Sequence, residues 1–278
     1  MAVGAGGTST DVGNAIAIDT DSGISYVAGH FQGSASFGTT TLFSAGSDDA
    51  FVGAVSGNGT WLWVVQAGGT GSTTGNGIAY RSSAGQVLIT GTFEGTATFG
   101  PITLTSMGLD DIFVAAVSSG SGTWLWAVQA GGLSSDGGSA IAVDTFGTSY
   151  VTGYFRDAAT FGSTMLTALG TAGVSEVFVG AVGSDGSWQW AVQAGGASDD
   201  RGNGIAVDSY GTSYVTGYFR DTATFGSMTR VSAGMDDIFV GAVSSSGTWQ
   251  WVLRAGGSSN DVALALTFDS FGMRVYVT

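Results

Sequence analysis

"GSWQWAVQAGGASDDRGNGIAVD" at 186–208 has a near copy at 123–144, "TWLWAVQAGGLSSDGGSAIAVD". The shared "AGG" begins at Ala5, Ala67, Ala130, Ala194 and Ala255, with spacings of 62, 63, 64 and 61 residues. So regular a period marks a tandem repeat, in which each unit is one supersecondary module that needs its neighbours to bury its apolar faces. Every unit reads in one order: AGG, a polar turn, "GIAVD", "SYVTGYF", "ATFG", a variable stretch, "DDIFVGAV", a glycine turn and "TWQW". Units 5–66, 67–129, 130–193 and 194–254 are complete, and 255–278 holds the first two apolar segments of a fifth, giving one repeat domain over 1–278.

The apolar segments are short, rich in Val, Ile, Tyr, Phe, Trp and Thr, and bounded by Gly, Ser, Asn and Asp, which is the pattern of strands and turns. In "DTFGTSYV" (144–151) and "DSYGTSYV" (208–215), Asp and Gly bracket a tight reversal in which the glycine takes a backbone angle costly for other residues. Each unit is therefore expected to be an up-and-down sheet of four strands, with an inserted excursion between strands two and three. Sheets with two apolar faces must stack. The expected architecture is an all-β propeller of about 62-residue four-stranded blades, and the alternative is an open β-solenoid. "MAV" aligns with the tail of a fourth strand, so the N-terminus does not supply the third and fourth strands that the last unit lacks. The expected outcomes are a five-bladed ring with a thin last blade, part of a longer array, or completion by another chain, because an open strand edge invites pairing.

Two stretches, "GNGIAVDSYGTSYVTGYF" (202–219) and "WQWAVQAGGASDDRGNGIAVD" (188–208), closely resemble the SBBP-type bacterial β-propeller repeat. The resemblance implies a propeller, an extracellular or surface setting, and binding or scaffolding work, and it supplies no catalytic residues. Two features depart from it. The second unit carries Thr73 and Thr74 in the acidic turn and Arg81 where its sisters have Asp19, Asp144 and Asp208, and four and a half units do not match the seven blades associated with the family.

Composition narrows the function classes. Of 278 residues, 49 are glycine and one is proline, Pro101; 44% are hydrophobic and 10% charged, which excludes collagen and charged disorder. All seven basic residues are arginine, and the formal charge is -14. Nucleic acid is thus not an expected partner, since phosphate binding needs clustered basic residues. With no cysteine there is no disulfide or thiolate chemistry. No run is long and apolar enough to insert in a membrane, and the N-terminus does not read as a signal peptide.

The tryptophans form four pairs: Trp61 and Trp63, Trp124 and Trp126, Trp188 and Trp190, Trp249 and Trp251. Spaced by two on a regular strand, both rings of a pair face the same way. Burying a pair removes about 300 to 500 Å² from water, roughly 8 to 12 kcal/mol as an upper bound, so packing between blades explains them, and a row of glycan or interface platforms is the functional alternative. Adjacent acids open the third strand at Asp48 and Asp49, Asp110 and Asp111, Asp236 and Asp237, with Ser175 and Glu176 in unit three. They read as a repeated turn motif, with Ca²⁺ ligation as the alternative and a carboxylate pair of glycosidase type behind it. His30, the single histidine, stands where Thr92, Tyr154 and Tyr218 stand, as an aromatic substitute. No catalytic residue and no cofactor is assigned. The sequence points to a non-enzymatic scaffold that self-associates or binds other proteins at a surface or outside the cell. The alternatives are a multivalent lectin with one weak site per blade and, behind that, a hydrolase or lyase at a central channel.

Overall fold

A computed structural model describes residues 3–269 and 273–278. The chain is all-β, built from antiparallel sheets, and its one helical turn among the described residues is the 3₁₀ segment Ser82–Ala84. No described helix is long and apolar enough to cross a membrane. Two compact bodies, Met1–Gln129 and Ala130–Thr278, meet in sequence at the AGG of the third repeat. The alignment of the N-terminus with a fourth strand rests partly on Met1 and Ala2, which lie outside the described residues, as do residues 270–272 of the partial unit.

In the first body, the strands Asp11–Asp19, Ile24–Phe31, Asp49–Val55 and Trp61–Gly69 pair in chain order. A second meander follows with Thr73–Arg81, Gln86–Phe99, Ile102–Ser118 and the strand beginning at Trp124. The second body repeats this plan. Gly137–Val143, Ser149–Arg156, Ser175–Val182 and Trp188–Gly196 form one meander. Arg201–Val207, Ser213–Phe225, Met228–Val243 and Trp249–Ala255 form the next, and Leu266–Asp269 pairs with Arg274–Val277 after it. The Asp and Gly of the first reversal do what their chemistry suggests. One Asp144 oxygen accepts the amides of Phe146, Gly147 and Thr148 at 2.9, 2.7 and 2.9 Å, while Gly147 sits at φ 94°.

The excursion is a hairpin that continues strands two and three past a pivot. Its partner is not its own sheet. In each complete repeat the hairpin pairs with the AGG strand that precedes its own meander: Gly6 with Ser36, Gly69 with Ala97, Gly132 with Ala159 and Gly196 with Ala223. The pivot residue has a left-handed backbone: Gly33, Gly95, Asp157 and Asp221 have φ of 71°, 68°, 57° and 59°. Asp is among the few side chains that tolerate this region, and it swings the hairpin off its own ladder onto the neighbour.

Each body packs sheet against sheet. In the first, Tyr26, Val52 and Trp63 of one meander share a core with Ile89, Phe113 and Trp124 of the next. In the second, Tyr150, Val179 and Trp190 meet Val215, Phe239 and Trp249. On the other face of the first meander, Phe31, Phe37 and Phe51 pack with Trp61.

Candidate functional site

Because the repeat signature gathers where one sheet meets the next, the joints are the place to ask whether it does chemistry. The tryptophans answer first. The ladder slips by one residue between Ala54 and Val55, which face Trp63 and Trp61, and equivalent bulges lie opposite Trp190 and Trp188 and opposite Trp251 and Trp249. A bulge reverses the alternation, so the two rings of a pair point to opposite faces, correcting the expectation of a common direction. The first ring turns back. Trp61, Trp124, Trp188 and Trp249 stand edge-on to Phe37, Phe99, Phe161 and Phe225 at centroid distances of 5.1, 5.1, 5.1 and 5.2 Å. Trp124 and Trp249 donate their indole N–H to the Gln66 and Gln193 carbonyls on the tryptophan strand of the preceding meander at 3.2 and 3.0 Å. The second ring turns forward, where Trp63 and Trp190 donate to the Ser119 and Ser245 carbonyls in the next repeat's turn at 2.8 and 2.9 Å. Trp126 and Trp251 hold the same station on their strands, and none of the eight rings is in the exposed class.

The AGG glycines are required by proximity. A Cβ on Gly69 would lie 1.7 Å from the Thr96 carbonyl oxygen, and one on Gly196 would lie 2.0 Å from that of Thr222. The amide of this glycine donates to an aspartate four residues on, with Gly7 to Asp11 at 2.7 Å, Gly132 to Asp136 at 2.8 Å and Gly196 to Asp200 at 2.9 Å. Asp136 and Asp200 use the other oxygen to accept the amides of Arg156 and Arg220, both at 2.9 Å, which ties the turn to the end of strand two.

The paired acids divide into two roles. The second of each pair is fully buried: Asp49, Asp111 and Asp237 accept the hairpin amides of Ala45, Met107 and Ala233 at 3.2, 3.0 and 2.9 Å, and Glu176 accepts those of Leu169 and Gly170. The first crosses the joint. Asp48 accepts the Ser72 hydroxyl at 3.3 Å; in the third repeat the chemistry is exchanged, and the Ser175 hydroxyl donates to Asp199 at 2.6 Å. Asp236 completes the series through its amide, which donates to Asn260 at 3.4 Å. Asp110 stands opposite Glu94 where the ladder of strands two and three resumes after the bulge. An acid and a hydroxyl that trade places while keeping the bond have a connecting role. Among the described residues no three His, Cys, Asp or Glu side chains stand together as metal ligands.

Two buried acids also meet at the joint between repeats three and four, on either side of Gly195. Burial pushes Asp200 up to about 8, against the amides of Arg220 and Gly196 and reinforced by Glu176 and Asp199. Burial likewise raises Glu176. The equivalent stations relieve this conflict differently. The first joint has Thr73 opposite Asp49, and at the joint after repeat four Arg254 binds Asp237.

His30 lies beside Asn14, ring Nδ1 to Nδ2 3.4 Å, and the Asn14 amide also donates to the Gly75 carbonyl of the next inner strand at 2.9 Å. Asn203 does the same to Ala263 at 2.8 Å. A cavity of about 230 Å³ opens on the first sheet, lined by Val3, Val12, Val27, Phe37, Phe51 and Trp61. In the next repeat the matching wall of Ile89, Phe99, Phe113 and Trp124 is covered by Tyr26, Val52 and Trp63.

One asymmetric group stands outside the shared repeat pattern. Arg156, Arg201 and Arg220 gather around Tyr154 and Tyr218 in repeats three and four. Their signal was available in "YFRDA", "DDRGN" and "YFRDT" set against "HFQGS" and "TFEGT".

These features define an all-β tandem-repeat protein whose shared residues serve its joints. Residues 189–218, from a fourth strand through the AGG joint into the next second strand, match the SBBP β-propeller repeat. No curated protein matches the chain. Among solved structures, a protein of unknown function from Bacteroides caccae is similar over 92% of this chain and 85% of its own, at 10% identity and a TM-score of 0.39. Sqt1 from Chaetomium thermophilum is similar over 95% and 76%, at 11% identity and a TM-score of 0.34.

Proposed function

We propose that the protein is a non-enzymatic β-propeller that works as an assembly scaffold at a surface or outside the cell, contacting copies of itself or other proteins through its hairpins. The observation that carries this reading is the return side of each hairpin, from the strand after its turn to the start of strand three. Phe43, then Met107 and Leu109, then Met165 and Leu169, then Val231 and Met235 are between 46% and 69% exposed. Single exposed apolar residues are ordinary, but their return on every hairpin of an otherwise acidic chain is the pattern of a contact surface. Variation is concentrated in the same stretches while the joints keep their residues, so the parts that differ are those that face outward. Closure into a ring and the number of blades belong to the same proposal.

Size-exclusion chromatography with light scattering across a concentration series tests it. The expected result is concentration-dependent association that weakens in Leu109→Asp and Met235→Asp, whose side chains are outside the core. A strictly monomeric species at every concentration, unchanged by either substitution, would remove the self-assembly reading.

A further inference from the structure

Arg201 opens its strand opposite Tyr218 and lays its guanidinium over the ring of Tyr154 in the preceding repeat, 4.1 Å from the centroid. Arg156 approaches the same ring at 5.8 Å. A ring face attracts a cation but accepts no conventional hydrogen bond. The Nε atoms of both arginines are buried and have no hydrogen-bond partner among the described residues. Leaving such charged donors unmet costs more than leaving a neutral group unmet.

None of the nearby acids meets these two Nε atoms. Asp236 holds Arg220 at 2.7 Å. Asp199 accepts the Ser175 amide at 2.9 Å and its hydroxyl at 2.6 Å on a single oxygen; against burial these bonds hold its carboxyl below the usual range, and Arg156 and Arg201 help by charge alone, with no bond to either Nε. Asp157 accepts the Gly173 amide at 3.0 Å and the Ser134 hydroxyl. The first two repeats have Gln32 and Glu94 at the Arg156 station and Val12 and Thr74 at the Arg201 station, with His30 and Thr92 in place of Tyr154. Those repeats form the same sheets without the cluster, so the fold does not require it.

We propose that Arg156 and Arg201, held against Tyr154, form a binding site for a single carboxylate group on a small organic or sugar acid. A planar guanidinium edge matches the two oxygens of a carboxylate. The formal charge of -14 and the flanking Asp157, Asp199 and Asp236 disfavour a polyanion, whose remaining charges would be repelled. Arg220 is already bound to Asp236 and does not compete for the ligand.

The arginine Nε–H resonances of ¹⁵N-labelled protein report on the site directly. Titration with acetate or glucuronate is expected to give saturable shifts at Arg156 and Arg201. Tighter glucuronate binding assigns a sugar acid, and equal binding assigns any small carboxylate. Arg156→Gln and Arg201→Gln should each weaken binding at least about tenfold, while Arg230→Gln leaves it unchanged. Thermal melts check that each variant is folded, and the wild-type titration stands without them. No saturable shift with either acid, an equal shift with chloride at matched ionic strength, or undiminished binding in both folded variants would overturn the assignment.

Discussion

Asp200 is a buried acid whose two oxygens both accept backbone amides and which lies beside a second buried acid, Glu176. Its carboxyl is pushed up to about 8, mainly by burial, whereas in the unfolded chain it titrates near 4. Between those values the folded protein keeps a proton that the unfolded chain releases. This contribution to stability is full below about pH 4, falls as pH rises, and is lost by about pH 8. Asp200→Asn removes the titration, so the melting temperature of the wild type relative to the variant should fall across that window and level off above it; a constant difference would contradict the assignment. Glycine is tested separately. Gly196→Ala forces a Cβ to within 2.0 Å of the Thr222 carbonyl and should cost on the order of 3 kcal/mol or more, while Gly120→Ala, with nothing within 4 Å of its Cβ, should stay within about 0.5 kcal/mol. Denaturant melts distinguish them. At this scale the sequence is legible where the chemistry is local. The aspartates that cap the first reversal follow from Asp-x-x-Gly spacing, but the exchange between Asp48–Ser72 and Ser175–Asp199 joins residues 24 apart and shows only when the repeats are laid over one another.

Among the elements, the four-strand meander was readable from short β-branched and aromatic runs between glycine turns. The direction of the tryptophans was not, because period-two reasoning assumes an unbroken ladder and a one-residue bulge reverses it. The hairpin's attachment was hidden for another reason: its partner is the end of the strand that runs in from the preceding meander, and "AGG" carries no side chain larger than a methyl to announce a pairing edge. The arginine cluster was visible as a departure from the repeat, a signal lost when the repeats are read for what they share. Packing at the joints predicts unequal tryptophans. Trp249→Ala should cost about 3–5 kcal/mol, the range for a large buried ring, with loss of its bond to Gln193. Trp61→Ala should cost clearly less, since that ring borders the open cavity of the first sheet. Equal losses in urea melts would show that the covering sheet contributes little.

For the molecule as a whole, three kinds of tie recur between neighbouring meanders within each body: inner asparagines at Asn14 and Asn203, tryptophans at Trp63 and Trp190, and hairpins laid on the AGG strand that precedes their own meander. A chain so connected uses its shared residues for cohesion and leaves the return sides of the hairpins, the open face of the first sheet and the arginine cluster free to differ. Addition of EDTA should leave the melting temperature unchanged if the paired acids are held by amides and hydroxyls alone, and a drop would point to a bound cation. The most direct test of the account is native-state hydrogen exchange on the hairpin strands Ala158–Phe161 and Ser34–Phe37 and on the tryptophan strands. If the hairpins belong to the joints, their amides exchange through the same opening as the neighbouring sheet, with opening free energies within about 1 kcal/mol. Hairpins that exchange freely while the sheets stay protected would contradict it.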